Sequence, residues 1–252
     1  MKSTVLLEIC VDSVQSAVAA EQGGARRVEL CCNLSCGGLT PSAGLIAMVR
    51  ERVSIALHVM IRPRPGDFCY DPDEFAAMKR DVLMARELGA DGVVFGILME
   101  SGQVDSERTR CLVEMARPLS TTFHRAFDMC IDIDKALELL VATGVDRILT
   151  SGSASRAEDG AATIAHLISV AQNRITIMAG GGIRENNVAR IIAATGIREL
   201  HANLAFPAPK PPQLPHQEVL LSAIQRCDSP LMVVTKESVR RLLEATGSGV
   251  DS

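Results

Sequence analysis

The chain has 252 residues, 47% of them hydrophobic but only 3% aromatic, with no tryptophan and a formal net charge of -4. A slightly acidic chain with no basic run and no series of stacking aromatics lacks a nucleic-acid footprint, and no apolar stretch nears membrane-spanning length. The start, Met-Lys-Ser-Thr-Val-Leu-Leu-Glu, meets charge too soon for a signal peptide, so the reading is a cytoplasmic protein whose eight cysteines are free thiols.

The first predicted strand, about 5–10, carries Glu8-Ile9-Cys10, and the second, about 27–31, carries Glu29-Leu30-Cys31. Residues two apart share one face of a strand. If the strands are neighbours, two carboxylates and two thiols converge on one patch, a costly burial unless they bind, pair or react. A helix is expected to start at Thr40-Pro41, as N-cap and N1 proline. The third strand, 56–61, presents His58, Met60 and Arg62 in alternation. The loop Arg62-Pro63-Arg64-Pro65-Gly66-Asp67 then offers two guanidinium groups to an anion. Asp71-Pro72 opens the next helix. A strand at 92–96 follows, then one at 121–125 that ends in His124-Arg125 with Asp128 just beyond, and Asp132 caps a helix over 133–143. Strand 147–150 leads into Ser151-Gly152-Ser153, strand 175–179 into Gly180-Gly181-Gly182, and strand 199–202 contains His201. The two glycine-containing stretches precede helices and suit an anion, because bare backbone N–H groups can approach it.

One shape recurs: Gly24-Ala-Arg-Arg-Val-Glu-Leu30, Gly89-Ala-Asp-Gly-Val-Val-Phe95, Gly144-Val-Asp-Arg-Ile-Leu-Thr150 and Gly196-Ile-Arg-Glu-Leu-His-Ala202. Each closes an Ala/Leu-rich helix with glycine and enters a short apolar strand, the mark of parallel βα units. About eight such strands predict a single-domain α/β chain, a (β/α)8 TIM barrel; an open doubly wound sheet would lack this count and even spacing. The barrel is assigned to 1–206. From 207 to 252 the pattern changes to an atypical proline-rich extension, Pro207-Ala-Pro-Lys-Pro-Pro-Gln-Leu-Pro-His216, with helices near 217–226 and 236–245 completing or flanking the barrel.

Barrel function gathers at the carboxyl ends of the strands. The candidate catalytic residues there are Glu8, Glu29, His58, Arg62, His124, Arg125, Asp128 and His201, with Ser151, Gly152, Gly180, Gly181 and Gly182 as candidate anion contacts. Histidine supplies acid–base chemistry near neutral pH, so an enzyme acting on a small anionic or phosphorylated metabolite is one reading. Cys31, Cys32 and Cys36 do not form a zinc pattern, and Cys31 and Cys32 face opposite ways on a strand; soft thiolates do suit Cu(I).

The chain also closely resembles the CutC family of copper homeostasis proteins. The matching stretches are Glu8-Ile-Cys-Val-Asp-Ser13, Arg27-Val-Glu-Leu-Cys31, Gly37-Gly-Leu-Thr-Pro-Ser42, Met60-Ile-Arg-Pro-Arg64, Gly66-Asp-Phe-Cys-Tyr70, Asp91-Gly-Val-Val-Phe-Gly96, Phe123-His-Arg-Ala-Phe-Asp-Met129, Arg147-Ile-Leu-Thr-Ser-Gly152 and Met178-Ala-Gly-Gly-Gly-Ile183. The resemblance implies a TIM barrel, a cytoplasmic homo-oligomer and a copper link, with Cys10 and Cys31 matching the family's strand-end cysteines as metal ligands. It departs at Cys36, where the family commonly has Glu, at Ala202-Asn203-Leu204, and in the proline-rich tail. The leading expectation is a copper homeostasis protein that binds Cu(I) through Cys10 and Cys31.

Overall fold

The computed structural model describes residues 5–208 and 231–247. Eight parallel strands close a barrel in sequence order: β1 (Leu6–Val11), β2 (Arg27–Leu30), β3 (Ala56–Met60), β4 (Gly92–Phe95), β5 (Ser120–Phe123), β6 (Arg147–Thr150), β7 (Thr176–Ala179) and β8 (Glu199–Ala202), with β8 pairing back onto β1. Around it lie α1 (Val14–Gln22), α2 (Ala43–Arg52), α3 (Pro72–Glu87), α4 (Ser106–Ala116), α5 (Ile133–Thr143), α6 (Ala161–Ala171), α7 (Val188–Thr195) and α8 (Lys236–Ala245). The (β/α)8 expectation holds, with each strand within a residue or two of its predicted span. His124 and Arg125 lie just past β5, where Arg125–Met129 forms a 3-10 turn.

The helix starts follow side-chain capping. Asp71 forms a capping box with Glu74, and Asp132 accepts from the Lys135 N–H. The Thr40-Pro41 start is corrected. Ser42 caps α2, because the Thr40 N–H bonds the Arg62 carbonyl and its hydroxyl accepts from the Arg62 N–H, which holds Thr40 in extended pairing beside β3. At the other ends, Gly24, Gly89, Gly144 and Gly196 all have φ between +68° and +98°, the left-handed region that glycine enters without strain. Asp91 and Asp146 in these turns accept from the Leu57 and Thr121 N–H groups, each at 2.8 Å, and so fasten helix ends to strand starts at the barrel floor.

Outward strand positions such as Leu7, Ile9, Val28, Leu30, Leu57 and Val59 form the apolar layer against the helices, each contributing roughly 1.5–3 kcal/mol on burial. α8 packs against α1 and α7 and closes the helical ring. The contact is intimate: a Cβ on Gly23 would lie 2.5 Å from the Val239 Cβ. Before α8, β9 (Phe206–Pro207) pairs antiparallel with β10 (Met232–Val233). The helix expected at 217–226 and most of the proline-rich segment fall outside the described residues. No helix among the described residues is long and apolar enough to cross a membrane.

Candidate functional site

Strand register gathers the repeated Glu-x-Cys motif inside the barrel. Cys10 pairs with Glu29 across β1 and β2, Glu8 with His201 across β1 and β8, and Glu29 with His58 across β2 and β3. The expected patch therefore exists, and Glu8 is its hub. Fully buried, Glu8 accepts from Arg27 Nε and stands 2.7 Å from His201 Nδ1 and 3.8 Å from His58 Nδ1. Below it, Arg27 pairs with Glu199 at 2.6 Å, and Glu199 with Arg147 at 2.6 Å. Sequence reading did not single out Arg27, Arg147 or Glu199. The available signal was parity: each is a charged residue on an inward position of an otherwise apolar strand.

This column sets the protonation of the groups above it. Burial alone would raise the Glu8 carboxyl, but Arg27 and His201 hold it below the usual carboxylate range. Burial opposes charge on His201, yet Glu29, Cys10 and Glu8 outweigh it and raise the imidazole well above its ordinary value. Glu29 is pushed well up, first by burial and then by Cys10 and Glu8. Cys10, sharing a hydrogen bond with Cys31 and facing His201, falls to about 6, whereas Cys31 rises well above the usual thiol range through the same shared bond and burial. The shared bond thus favours the thiolate on Cys10 and the thiol on Cys31.

The donor set fits a soft metal ion. Cys10 Sγ and Cys31 Sγ are 4.0 Å apart, and Cys31 Sγ is 3.5 Å from Glu29 Oε2. A first-row metal–thiolate bond of about 2.3 Å, doubled, exceeds that sulfur separation, so one ion can touch both. Ligand atoms of Cys10, Glu29 and Cys31 all lie within 4.8 Å of one another, as do those of Glu8, Glu29 and His201. Cys10, Cys31, Met60 and Val94 form their own buried cluster, separate from the main core. Cys32 turns away, with its thiol on the Thr40 carbonyl.

Above the sulfurs opens a cavity of about 440 Å³, whose walls include Cys10, Glu29, Met60, Arg62, His124 and His201. His58 is not on those walls. Burial lowers it to about 4, and Gly92 makes room for its ring, since a Cβ there would lie 2.5 Å away. Burial and the Arg62 charge lower His124 to about 3, and its Nδ1 accepts the Ala126 N–H at 3.1 Å. Arg62 donates to the carbonyls of Cys36, Gly38 and Gly66. Arg64, its expected companion, is tied instead to Glu74 and Asp67.

The expected anion contacts after β6 are already occupied. Asp128 accepts from the N–H groups of Ser151 and Ser153 at 3.1 Å, takes the Thr150 and Ser151 hydroxyls and pairs with Arg125 at 2.7 Å. Gly152 donates to Thr150 Oγ1 and Gly180 to the Thr150 carbonyl. Neither glycine stretch starts a helix, since α6 begins at Ala161 and α7 at Val188. Gly181 and Gly182 do line the cavity.

Comparison with known proteins gives a consistent result. Residues 5–205 match the model of the CutC family. The chain is 44% identical to a human protein named copper homeostasis protein cutC homolog over 245 residues, which covers 97% of this chain and 90% of that one. A CutC family protein of Chromobacterium violaceum is 52% identical over 198 residues, 79% of this chain and 80% of that one. Among solved structures, the putative copper homeostasis protein CutC of Streptococcus agalactiae superposes with a TM-score of 0.74 at 37% identity, covering 78% of this chain and 97% of that one.

Proposed function

We propose, from the premise that this chain belongs to the CutC family, that it serves copper homeostasis by binding Cu(I) between Cys10 and Cys31. The observation that carries this reading is the pair of buried sulfurs 4.0 Å apart, one of them inclined to the thiolate by its hydrogen bond with Cys31 and by His201. Thiolates suit soft ions such as Cu(I), and a ligand already deprotonated need not release a proton to bind. Carboxylates beside thiols normally oppose thiolate formation; here Glu8 is committed to Arg27 and His201, and burial raises the Glu29 carboxyl well above its ordinary value, which favours its neutral form. Copper is cargo in this reading. It arrives through the cavity, with Met60 and the exposed Cys36 thiol on its walls as further soft donors, in a cytoplasm that keeps thiols reduced.

An anaerobic competition titration with a chromophoric Cu(I) chelator tests it. One tightly held Cu(I) per chain is expected, lost in Cys10→Ser/Cys31→Ser and retained in Cys36→Ser. Binding unchanged in the double variant refutes the assignment. A preference for Zn(II) over Cu(I) in parallel titrations refutes the choice of metal.

A further inference from the structure

Six buried side-chain polar atoms among the described residues have no hydrogen-bond partner, and three of them, Glu29 Oε1, Arg62 Nε and His124 Nε2, belong to side chains that line the one cavity above the sulfurs. Buried polar groups are ordinarily paired, so three orphans around one cavity call for an occupant. Arg62 and His124 are adjacent there, with Phe68 packed against both: the guanidinium lies 5.0 Å from its ring centroid and the imidazole 4.9 Å.

The chemistry of the orphans defines what they would take. The Arg62 terminal nitrogens are committed to three backbone carbonyls, the Tyr70 hydroxyl lies against the guanidinium, and no carboxylate among the described residues pairs with this 6%-exposed charge. A buried cation without a counter-ion is a standing cost. A backbone N–H can only donate, so His124 Nδ1 is an acceptor and the ring proton sits on Nε2. The His124 Nε2–H therefore faces no acceptor, and the Arg62 charge, beside the neutral Tyr70 hydroxyl, faces no anion. The other basic side chains differ: Arg125 is neutralised by Asp128, and Arg184 is exposed on the cavity wall without a carboxylate partner. A volume of about 440 Å³ is in the range of small-molecule sites and far exceeds what one copper ion needs.

We propose that this cavity binds a small organic acid whose carboxylate oxygens accept from Arg62 Nε and His124 Nε2, with Phe68 turning aside to admit it. Both donor atoms are shielded from water as the side chains stand, and Phe68, half-buried in the loop after Arg62, is in contact with both side chains. The remainder of the acid would extend toward Glu29, whose unpaired Oε1 is a third polar contact.

The test uses the full, metal-free chain, so its outcome is separate from that of the copper titration. With histidine rings isotopically labelled, His124 is followed by NMR while pyruvate, inorganic phosphate or the uncharged acetamide is added. Expected are a saturable shift with pyruvate, none with acetamide, and at least tenfold weaker pyruvate binding in Arg62→Lys, which keeps the charge but loses the Nε–H. No saturable response in the wild-type chain overturns the proposal without recourse to any variant. So does an equal response to acetamide, or unaltered affinity in a folded Arg62→Lys protein. A response to phosphate alone overturns the carboxylate assignment.

Discussion

Glu8→Gln tests the buried charge column most directly. The substitution keeps size and shape but removes the charge that Arg27, His201 and His58 all face. Arg27 would be left to share Glu199 with Arg147. The Glu8 side chain is 0% exposed and that of Arg27 4% exposed, so no solvent screening discounts the loss. Breaking one partner out of a buried pair costs about 3–5 kcal/mol. In a chain of this length each kcal/mol moves Tm by about 2–4 °C, which predicts a fall of roughly 6–20 °C. The same change should carry upward. His201 would lose its Nδ1 partner and some of its basicity, and the Cys10 thiol should climb from about 6 back toward 9.0. Scanning calorimetry reads the first effect and ultraviolet thiolate absorbance against pH reads the second. A Tm within about 2 °C of wild type, with an unmoved thiol titration, would refute the view that Glu8 organises the site.

Acid should weaken the fold over a defined window. His58 and His124 have folded values of about 4 and about 3 against an ordinary 6.5, so their contribution is complete above pH 6.5 and is lost as pH falls below it. Each loses up to about 1.4 kcal/mol per pH unit. Glu29 works in the opposite sense: its carboxyl is raised, so stability is regained as pH falls through its folded value toward the ordinary 4.5. Two histidines outweigh one carboxyl, so the net expectation between pH 6.5 and 4.5 is a loss of stability, which Glu29→Gln should steepen. A Tm that is level across the window, or a shallower slope in Glu29→Gln, contradicts this account. Separately, Gly96→Ala puts a Cβ 2.5 Å from the His124 ring and should cost about 1–3 kcal/mol by overpacking. Gly44→Ala, with nothing within 4 Å of its Cβ in α2, should instead gain up to about 1 kcal/mol. Thermal unfolding of the pair checks the contrast; equal Tm values would contradict it.

How far the sequence carries this site follows from which forces are local. The barrel was legible because its determinants are periodic: glycine at each helix exit, an apolar run in each strand and a capping residue such as Asp71 or Asp132 at helix starts. The convergence of Glu8, Cys10, Glu29 and Cys31 was legible because strand alternation and one neighbour relation suffice to place them. What escaped was set by distant pairing. Nothing near Ser151 reveals that its N–H belongs to Asp128, 23 residues earlier, instead of to a ligand. Nothing near Thr40 reveals that Arg62 holds it extended and delays α2 to Ala43. Strand parity turns Arg27 inward, but nothing near it reveals that Glu199 of β8 is its partner.

The charge column also explains why the chemistry collects at one level of the barrel. Arg147, Glu199, Arg27, Glu8 and His201 alternate in sign, so each interior charge is met by the next. A purely structural barrel would fill these positions with valine, isoleucine and leucine and avoid the desolvation cost. The alternation ends under the cavity on His201, a positive group, which meets Cys10 and Glu29. That last positive charge favours a negative charge on Cys10. The buried ion pairs below then act as the scaffold that holds His201 against Cys10 and favours its thiolate, a role that a stability function alone would not explain.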